Sequence, residues 1–496
     1  MRKLLSFLMI LLLLPCAALG DTLQVDMPCL QPEDEAAFLS RHPGLTIEYG
    51  RHGFFNTGNE LNAALLTGQM AYDLFTANNV YMDYRPAMER GYCLDLSGSE
   101  VIRRAAERMV PAVAAQLMAD GRICGLPTGV QFDLLCADAE VFGQMGYDAA
   151  DVPRTCGEFL SFLEAWIARQ DADPEAVQVF GGWDYTVYDA TTYTVELARL
   201  VLEEAIRQQQ AAGEALSFSD PMLLDALTRI RQVGQALARV EPPSESVSAG
   251  EWRTNQPALF VRSDPNPWGR MADWGVSLRL HPEQPFTLPV MLQVTMVSAA
   301  TRHPEEALAF MEAIAAGKPF VLQDAAFLYQ DVDFVPNPDY DNDVARTAQM
   351  IAMLEGAIAD PAAPMGALVE DSMLHGAYRE NFLYWYAAAH QEDQQEAVER
   401  MLEDQQEAVE RMLEAQRARL ADAEEQRYLV TPEQVADYRR CAEYLAFPVP
   451  SAFTPGNVHG QAFDALLERF AAGQTDAALL LRKLNRLAQM AALEAQ

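Results

Sequence analysis

Short β-type runs alternate with amphipathic helical stretches along this chain, and that rhythm constrains its fold more than any other feature. Leu45-Thr46-Ile47-Glu48-Tyr49 is a β-type run, and the helical pattern Glu60 to Leu66 follows it. Asp73-Leu74-Phe75-Thr76 reads as a second strand, ending in Asn78-Asn79. Helices are expected around Val101 to Met118, then a further strand over Gln131 to Ala137. A βαβα order implies an α/β protein with a mostly parallel sheet flanked by helices. In such sheets ligands bind beyond the carboxyl ends of the strands, which places Asn78 and Asn79 at a cleft. The same two residues serve equally well as turn formers.

Several boundaries follow from composition. With 496 residues, 50% of them hydrophobic, the chain can build two domains, each with its own core. Arg2 and Lys3, the apolar run Leu4 to Leu14 and the small residues of Ala18-Leu19-Gly20 read as a cleavable export signal over residues 1–20. The run is too short to span a bilayer of about 30 Å, which takes roughly 20 residues. Cys16, after Leu14-Pro15, leaves a lipid-anchored form open at the cell surface, although proline is a poor match at that position. No later segment is long and apolar enough to cross a membrane.

The formal net charge is −35, and −37 without Arg2 and Lys3, from 34 basic against 71 acidic residues. That field repels nucleic acid and anionic lipid headgroups, disfavours polyanionic ligands unless a local basic pocket offsets it, and keeps an exported chain soluble. Beyond the leader stand Cys29, Cys93, Cys124, Cys136, Cys156 and Cys441, widely scattered. They lack metal-site spacing and read as small buried residues, with one or two disulfides open.

The later chain continues in the same style. Glu158 to Ala168, Thr191 to Gln210 and Pro221 to Ala238 are amphipathic helices, and Glu241 to Ser246 is a surface loop. Phe286 to Ala299 is β-rich, and a helix opens at Pro304. Glu392 to Leu402 then recurs unchanged as Glu403 to Leu413. Eleven residues make three turns with a drift of about 20°, so Ala397, Val398, Met401 and Leu402 share a stripe with Ala408, Val409, Met412 and Leu413. The repeat lengthens a helix without turning its face. It reads as a duplication tolerated for that reason, or as a coiled-coil docking arm.

Chemistry leaves no mark of its own. The chain has no G-x-S-x-G elbow, no H-E-x-x-H pair and no phosphate-binding loop, and its histidines stand apart. No metal, cofactor or catalytic residue is expected. Recognition is better represented. Gly181-Gly182-Trp183-Asp184-Tyr185 sets aromatics on a glycine-led loop, and Asp264-Pro265-Asn266-Pro267-Trp268 sets another between turn residues. Aromatic faces stack on the C–H side of a pyranose while amides and carboxylates bond its hydroxyls. A loop tryptophan can equally plug the edge of its own domain core.

The pieces Gly68 to Leu74, Gly91 to Ser97, Asp120 to Pro127 and Pro153 to Phe159, in this order and spacing, resemble an extracellular solute-binding protein of an ABC importer. The similarity is closest to the sugar-binding type related to maltose-binding protein. His303-Pro304-Glu305-Glu306-Ala307 and the closing stretches Phe463 to Gly473 and Asp476 to Leu493 extend it over most of the chain. The resemblance implies a two-lobed, type II periplasmic-binding-protein-like fold. Its lobes would be 21–131 with 289–335, and 132–288 with 336–496, the latter carrying a helical insertion at 345–427 that departs from the family. It further implies a non-enzymatic, monomeric binding component that captures a small solute, most readily a mono- or oligosaccharide, and delivers it to the transmembrane subunits of a permease. Ligand contacts are then expected at Asn78, Asn79, Gln131, Asp133, Trp183, Tyr185 and Trp268. An envelope sensory partner or an exported glycan-acting enzyme remains as an alternative on the same fold.

Overall fold

The structure is a computed structural model that describes residues 21–50, 58–132, 134–172, 177–181, 189–240, 258–262, 271–359, 410, 412–421, 427–454, 457 and 459–494. The export signal with Cys16, the loop at 241–246 and the repeat up to Val409 lie outside those residues. By packing, the chain divides into one unit running to Asp333 and resuming at Pro432–Gln496, and a second unit, Phe334–Thr431.

The first unit is mixed α/β and holds two sheets. Strands β1 (Thr22–Val25), β2 (Thr46–Tyr49) and β3 (Leu74–Asn78) alternate with helices α1 (Pro32–Arg41) and α2 (Gly58–Thr67). β1 pairs in parallel with both β2 and β3. β4 (Leu126–Phe132) and the long β8 (Leu288–Val297) complete the body of this sheet, with β8 antiparallel to β3 and to β4. β1, β2, β3 and β4 therefore all run one way, and their carboxyl ends share one edge.

Sheet two is three-stranded: β5 (Leu135–Ala137), β6 (Gln178–Gly181) and β7 (Ala258–Arg262), in the order β5-β7-β6, with β6 parallel to β7. The expected strand over Gln131 to Ala137 is thus two strands. The first sheet loses the chain at Phe132 and the second receives it at Leu135. The return crossing enters β8 at Leu288. Both crossings border a cavity of about 30 Å³ lined by Leu134, Thr287, Pro289, Glu204 and Arg207 among others.

Local chemistry explains the helix limits. The helices expected around Val101 to Met118 are α3 (Glu100–Arg108) and a short helix at Pro111–Gln116. Pro111 lacks an N–H and forces Val110 into extended backbone, which breaks the run. Ser99 caps α3, accepting the N–H of Ile102 at 3.3 Å while donating to Glu312 at 2.7 Å. α7 (Pro304–Ala316) opens with proline followed by Glu305 and Glu306, the order that favours a helix start.

Two cores result. β8 buries Val290, Leu292, Val294 and Met296 on one face, where α7 packs, and Phe132 meets Phe327 edge-on with centroids 5.3 Å apart. Phe310 of α7 in turn meets Phe38 of α1 at 5.3 Å. The second core gathers α4 (Cys156–Ala172), α5 (Ala190–Ala211) and α6 (Pro221–Val240) around Phe142, Trp166, Tyr193 and Phe260. Helices α10 (Gly460–Ala471) and α11 (Ala477–Glu494) close it from the far end of the chain. The six cysteines beyond the leader are free thiols, five buried and Cys136 partly so.

The second unit encloses the expected helical insertion. α8 (Tyr340–Ala359) carries Met350, Ile351 and Leu354, which pack with Met412 and Leu413 of helix α9 (412–421). Met412 and Leu413 are the last apolar positions of the repeat, so the end of its stripe is used for internal packing. β9 (Val335–Pro336) and β10 (Tyr428–Val430) pair antiparallel at the base of the unit.

Candidate ligand-binding face of the first sheet

One face of the first sheet is apolar and covered by helices. The other carries a band of polar side chains toward the strand ends. Register produces it. Thr76 of β3 lies opposite Thr295 of β8, and Asn78 lies opposite Gln293. On the other side of β8, Gly129 of β4 lies opposite Gln293 and Gln131 opposite Met291, with a bulge between Gln293 and Val294. Side chains two apart on a strand share a face, so these residues form successive rows across three strands.

The innermost row is a hydroxyl chain. The Thr295 hydroxyl lies 2.9 Å from Thr76 Oγ1 and 2.9 Å from Thr128 Oγ1, and Cys29 Sγ is 3.4 Å from it. Thr295 is fully buried, and this mutual bonding is what a buried hydroxyl requires. Burial pushes the Cys29 thiol up to about 11, so it acts here as a weak donor, reaching Met27 O at 3.0 Å.

The next row opens outward. Gln293 and Gln131 are half-buried, and the Gln293 side chain lies across Gly129. A Cβ at Gly129 would stand 2.7 Å from Gln293 Oε1, so glycine is what lets the amide lie there. A similar approach occurs at the end of β2, where a Cβ at Gly50 would meet the Tyr72 ring at 2.7 Å. Tyr72 is half-buried, and burial together with the nearby Asp26 carboxylate holds its phenol above the ordinary range. Asp26, buried just past β1, accepts the Thr76 N–H at 3.4 Å.

Asn78 and Asn79 stand where the sequence places them, at the carboxyl end of β3, but their amides serve different purposes. Asn78 Oδ1 accepts the Val80 N–H at 2.9 Å, closing an Asx turn. Asn79 joins segments. Its Nδ2 donates to Val290 O at 3.0 Å and to Pro448 O at 2.8 Å, and its Oδ1 accepts the Leu292 N–H at 2.6 Å. β3 ends here and the short β11 (Leu445–Ala446) takes over pairing with β8. The Asn79 amide fills the gap between them as a substitute peptide group.

Gln131 lies in the polar band. Asp133, Trp183, Tyr185 and Trp268 lie outside the described residues. In sequence, however, 182–188 follow directly on β6 and 263–270 on β7, and those two parallel strands end on the same edge of their sheet. Asp26, Tyr72, Thr128 and Gln293 carry no motif signal and were not expected. Only an alternation reading of Phe286 to Ala299, paired in register with β3, would have found Gln293. Among the described residues, no three His, Cys, Asp or Glu side chains converge as a metal site.

No protein-family model matches the chain, and no curated protein matches it. Among solved structures it is similar to an ABC substrate-binding protein from Listeria monocytogenes in complex with cycloalternan (11% identity over 95% of this chain and 97% of that one, TM-score 0.47). It is also similar to a chitin oligosaccharide binding protein (12% identity, 96% and 100% covered, TM-score 0.47). A third is an ABC transporter solute binding protein from Agrobacterium vitis with bound D-mannitol (12% identity, 96% and 99% covered, TM-score 0.46).

Proposed function

We propose that this chain is the extracellular substrate-binding component of an ABC importer, which captures a mono- or oligosaccharide between two lobes and hands it to a membrane permease. The observation that carries this reading is the polar band at the carboxyl edge of the first sheet. There Gln293, Gln131 and Tyr72 are half-buried, and the buried Asp26 carboxylate lies near Tyr72. Amides and hydroxyls on a rigid sheet suit a neutral polyhydroxyl ligand, since they bond hydroxyls without demanding a counter-charge.

In this reading the first sheet supplies hydrogen bonds through Gln131, Gln293 and the free amide nitrogen side of Asn78, while Asn79 holds the wall. Trp183, Tyr185 and Trp268 supply the stacking faces from the second lobe, and Asp133 sits at the crossing. The crossings at 133–134 and ahead of Leu288 act as the hinge. Nothing in the site calls for bond making or breaking.

A thermal-shift panel of mono- and oligosaccharides, polyamines and peptides tests the reading. One saccharide class is expected to raise the melting temperature, and Trp268→Ala and Gln293→Ala are each expected to weaken its binding at least tenfold, the scale of about 1.4 kcal/mol. A response to peptides or polyamines alone would remove the sugar assignment.

A further inference from the structure

The chain is strongly acidic, yet helix α11 presents the reverse. Its buried side is Ala477, Leu480, Leu481, Leu484 and Ala488, all packed in the second core. At about 100° per residue, the opposite arc of about 120° holds Leu479, Arg482, Lys483, Arg486, Met490 and Leu493. Arg482 and Arg486 are exposed, Lys483 is half-buried, Met490 is 43% exposed and Leu493 is 70% exposed.

No acidic side chain interrupts this arc. Glu494, the one acid on the helix, bonds His459 at 3.0 Å, and Asp476 ahead of it accepts the Leu479 N–H at 2.7 Å. Some arginines elsewhere in this unit find carboxylates, among them Arg108 with Asp331, Arg199 with Asp464, Arg229 with Glu164 and Arg439 with Asp333. No ion pair joins Arg482, Lys483 or Arg486 to a described residue. In a chain of 71 acids and 36 bases, this arc gathers three cations without an ion pair beside two exposed apolar side chains and no acid, and that clustering calls for a partner.

We propose that this face docks on an anionic lipid surface, the headgroups meeting Arg482, Lys483 and Arg486 while Met490 and Leu493 enter the acyl boundary. Mixed cations and exposed apolar side chains on one helical arc are what a bilayer interface selects. A phosphodiester chain would gain nothing from Met490 and Leu493, and its length would bring it against the acidic remainder of the molecule. A bilayer is met by one face only, and charges farther than about 10 Å from it are screened. The docking would hold the protein near a membrane without a transmembrane segment, whatever its ligand.

The test is flotation of the full chain with vesicles of phosphatidylcholine alone or mixed with phosphatidylglycerol. Binding is expected only to the mixed vesicles, and high salt should abolish it. Each single charge removed (Arg482→Gln, Arg486→Gln) should weaken partitioning about fivefold. The triple reversal Arg482→Glu, Lys483→Glu, Arg486→Glu should eliminate it, and Leu493→Ser should weaken binding to the mixed vesicles. An unchanged melting curve of the variants shows that they fold. No binding, equal binding to neutral vesicles, or unchanged binding by the triple reversal overturns the proposal. Capture by immobilised polyglutamate but not by vesicles also overturns it, assigning the face to an acidic protein instead.

Discussion

Asp324 is a buried carboxylic acid with a single backbone partner, the Val130 N–H at 3.3 Å on the outer edge of β4. Burial pushes its carboxyl up to about 7, and the one hydrogen bond only partly opposes that shift. In an unfolded chain the same group ionises near 4. Between those values the folded protein holds a proton that the unfolded chain has lost, so stability falls as pH rises through about 4 to 7 and levels off above. Asp324→Asn keeps a carbonyl for Val130 and removes the titration. The variant is expected to gain melting temperature over the wild type at about pH 8, with the difference vanishing toward about pH 4. A constant difference across that range would show that Asp324 does not titrate there.

At the scale of elements, the junction of β3, β8 and β11 depends on one side chain. A strand that stops beside a longer neighbour exposes that neighbour's peptide groups, and buried peptide groups must be paired. Asn79 pairs Val290 O, Leu292 N–H and Pro448 O at once. Asn79→Ala leaves all three without that partner, and a loss of about 3 kcal/mol is expected in urea unfolding. Asn79→Asp should be nearly as costly, because it keeps the acceptor and loses both donors. A loss under about 0.5 kcal/mol, the level of an ordinary surface change, would mean that the amide is not what holds the junction. Proline acts at the same scale at Pro111, which separates α3 from the short helix at Pro111–Gln116.

At the scale of the molecule, the chain of the first unit passes between the bodies of its two sheets three times: after Phe132, ahead of Leu288, and between β11 and α10. The first two crossings lie beside a small cavity. A ligand held between the sheets would gain from both walls only if the crossings bend. Small-angle scattering is expected to show a smaller radius of gyration with the stabilising saccharide than without it. Identical curves, with binding confirmed by melting, would mean that capture occurs without hinge closure. The second unit, Phe334–Thr431, has its own small core of Met350, Leu354 and Leu413.

The sequence by itself determined the α/β order and most element limits. These follow from local rules: strand and helix periods, proline and capping residues act within a few positions of themselves. The tertiary structure decided the site. Thr76, Thr128 and Thr295 form one hydroxyl chain across sequence gaps of 219 and 167 residues, and Gln293 finds its place only because Gly129 has no side chain. Strand alternation names two faces but not which residue lies opposite which, and a one-residue slip would exchange them all. Asn79 shows the same limit. Its sequence context fits a turn or a ligand contact equally well, and only the ends of β3 and β11 meeting beside β8 give its amide three backbone partners.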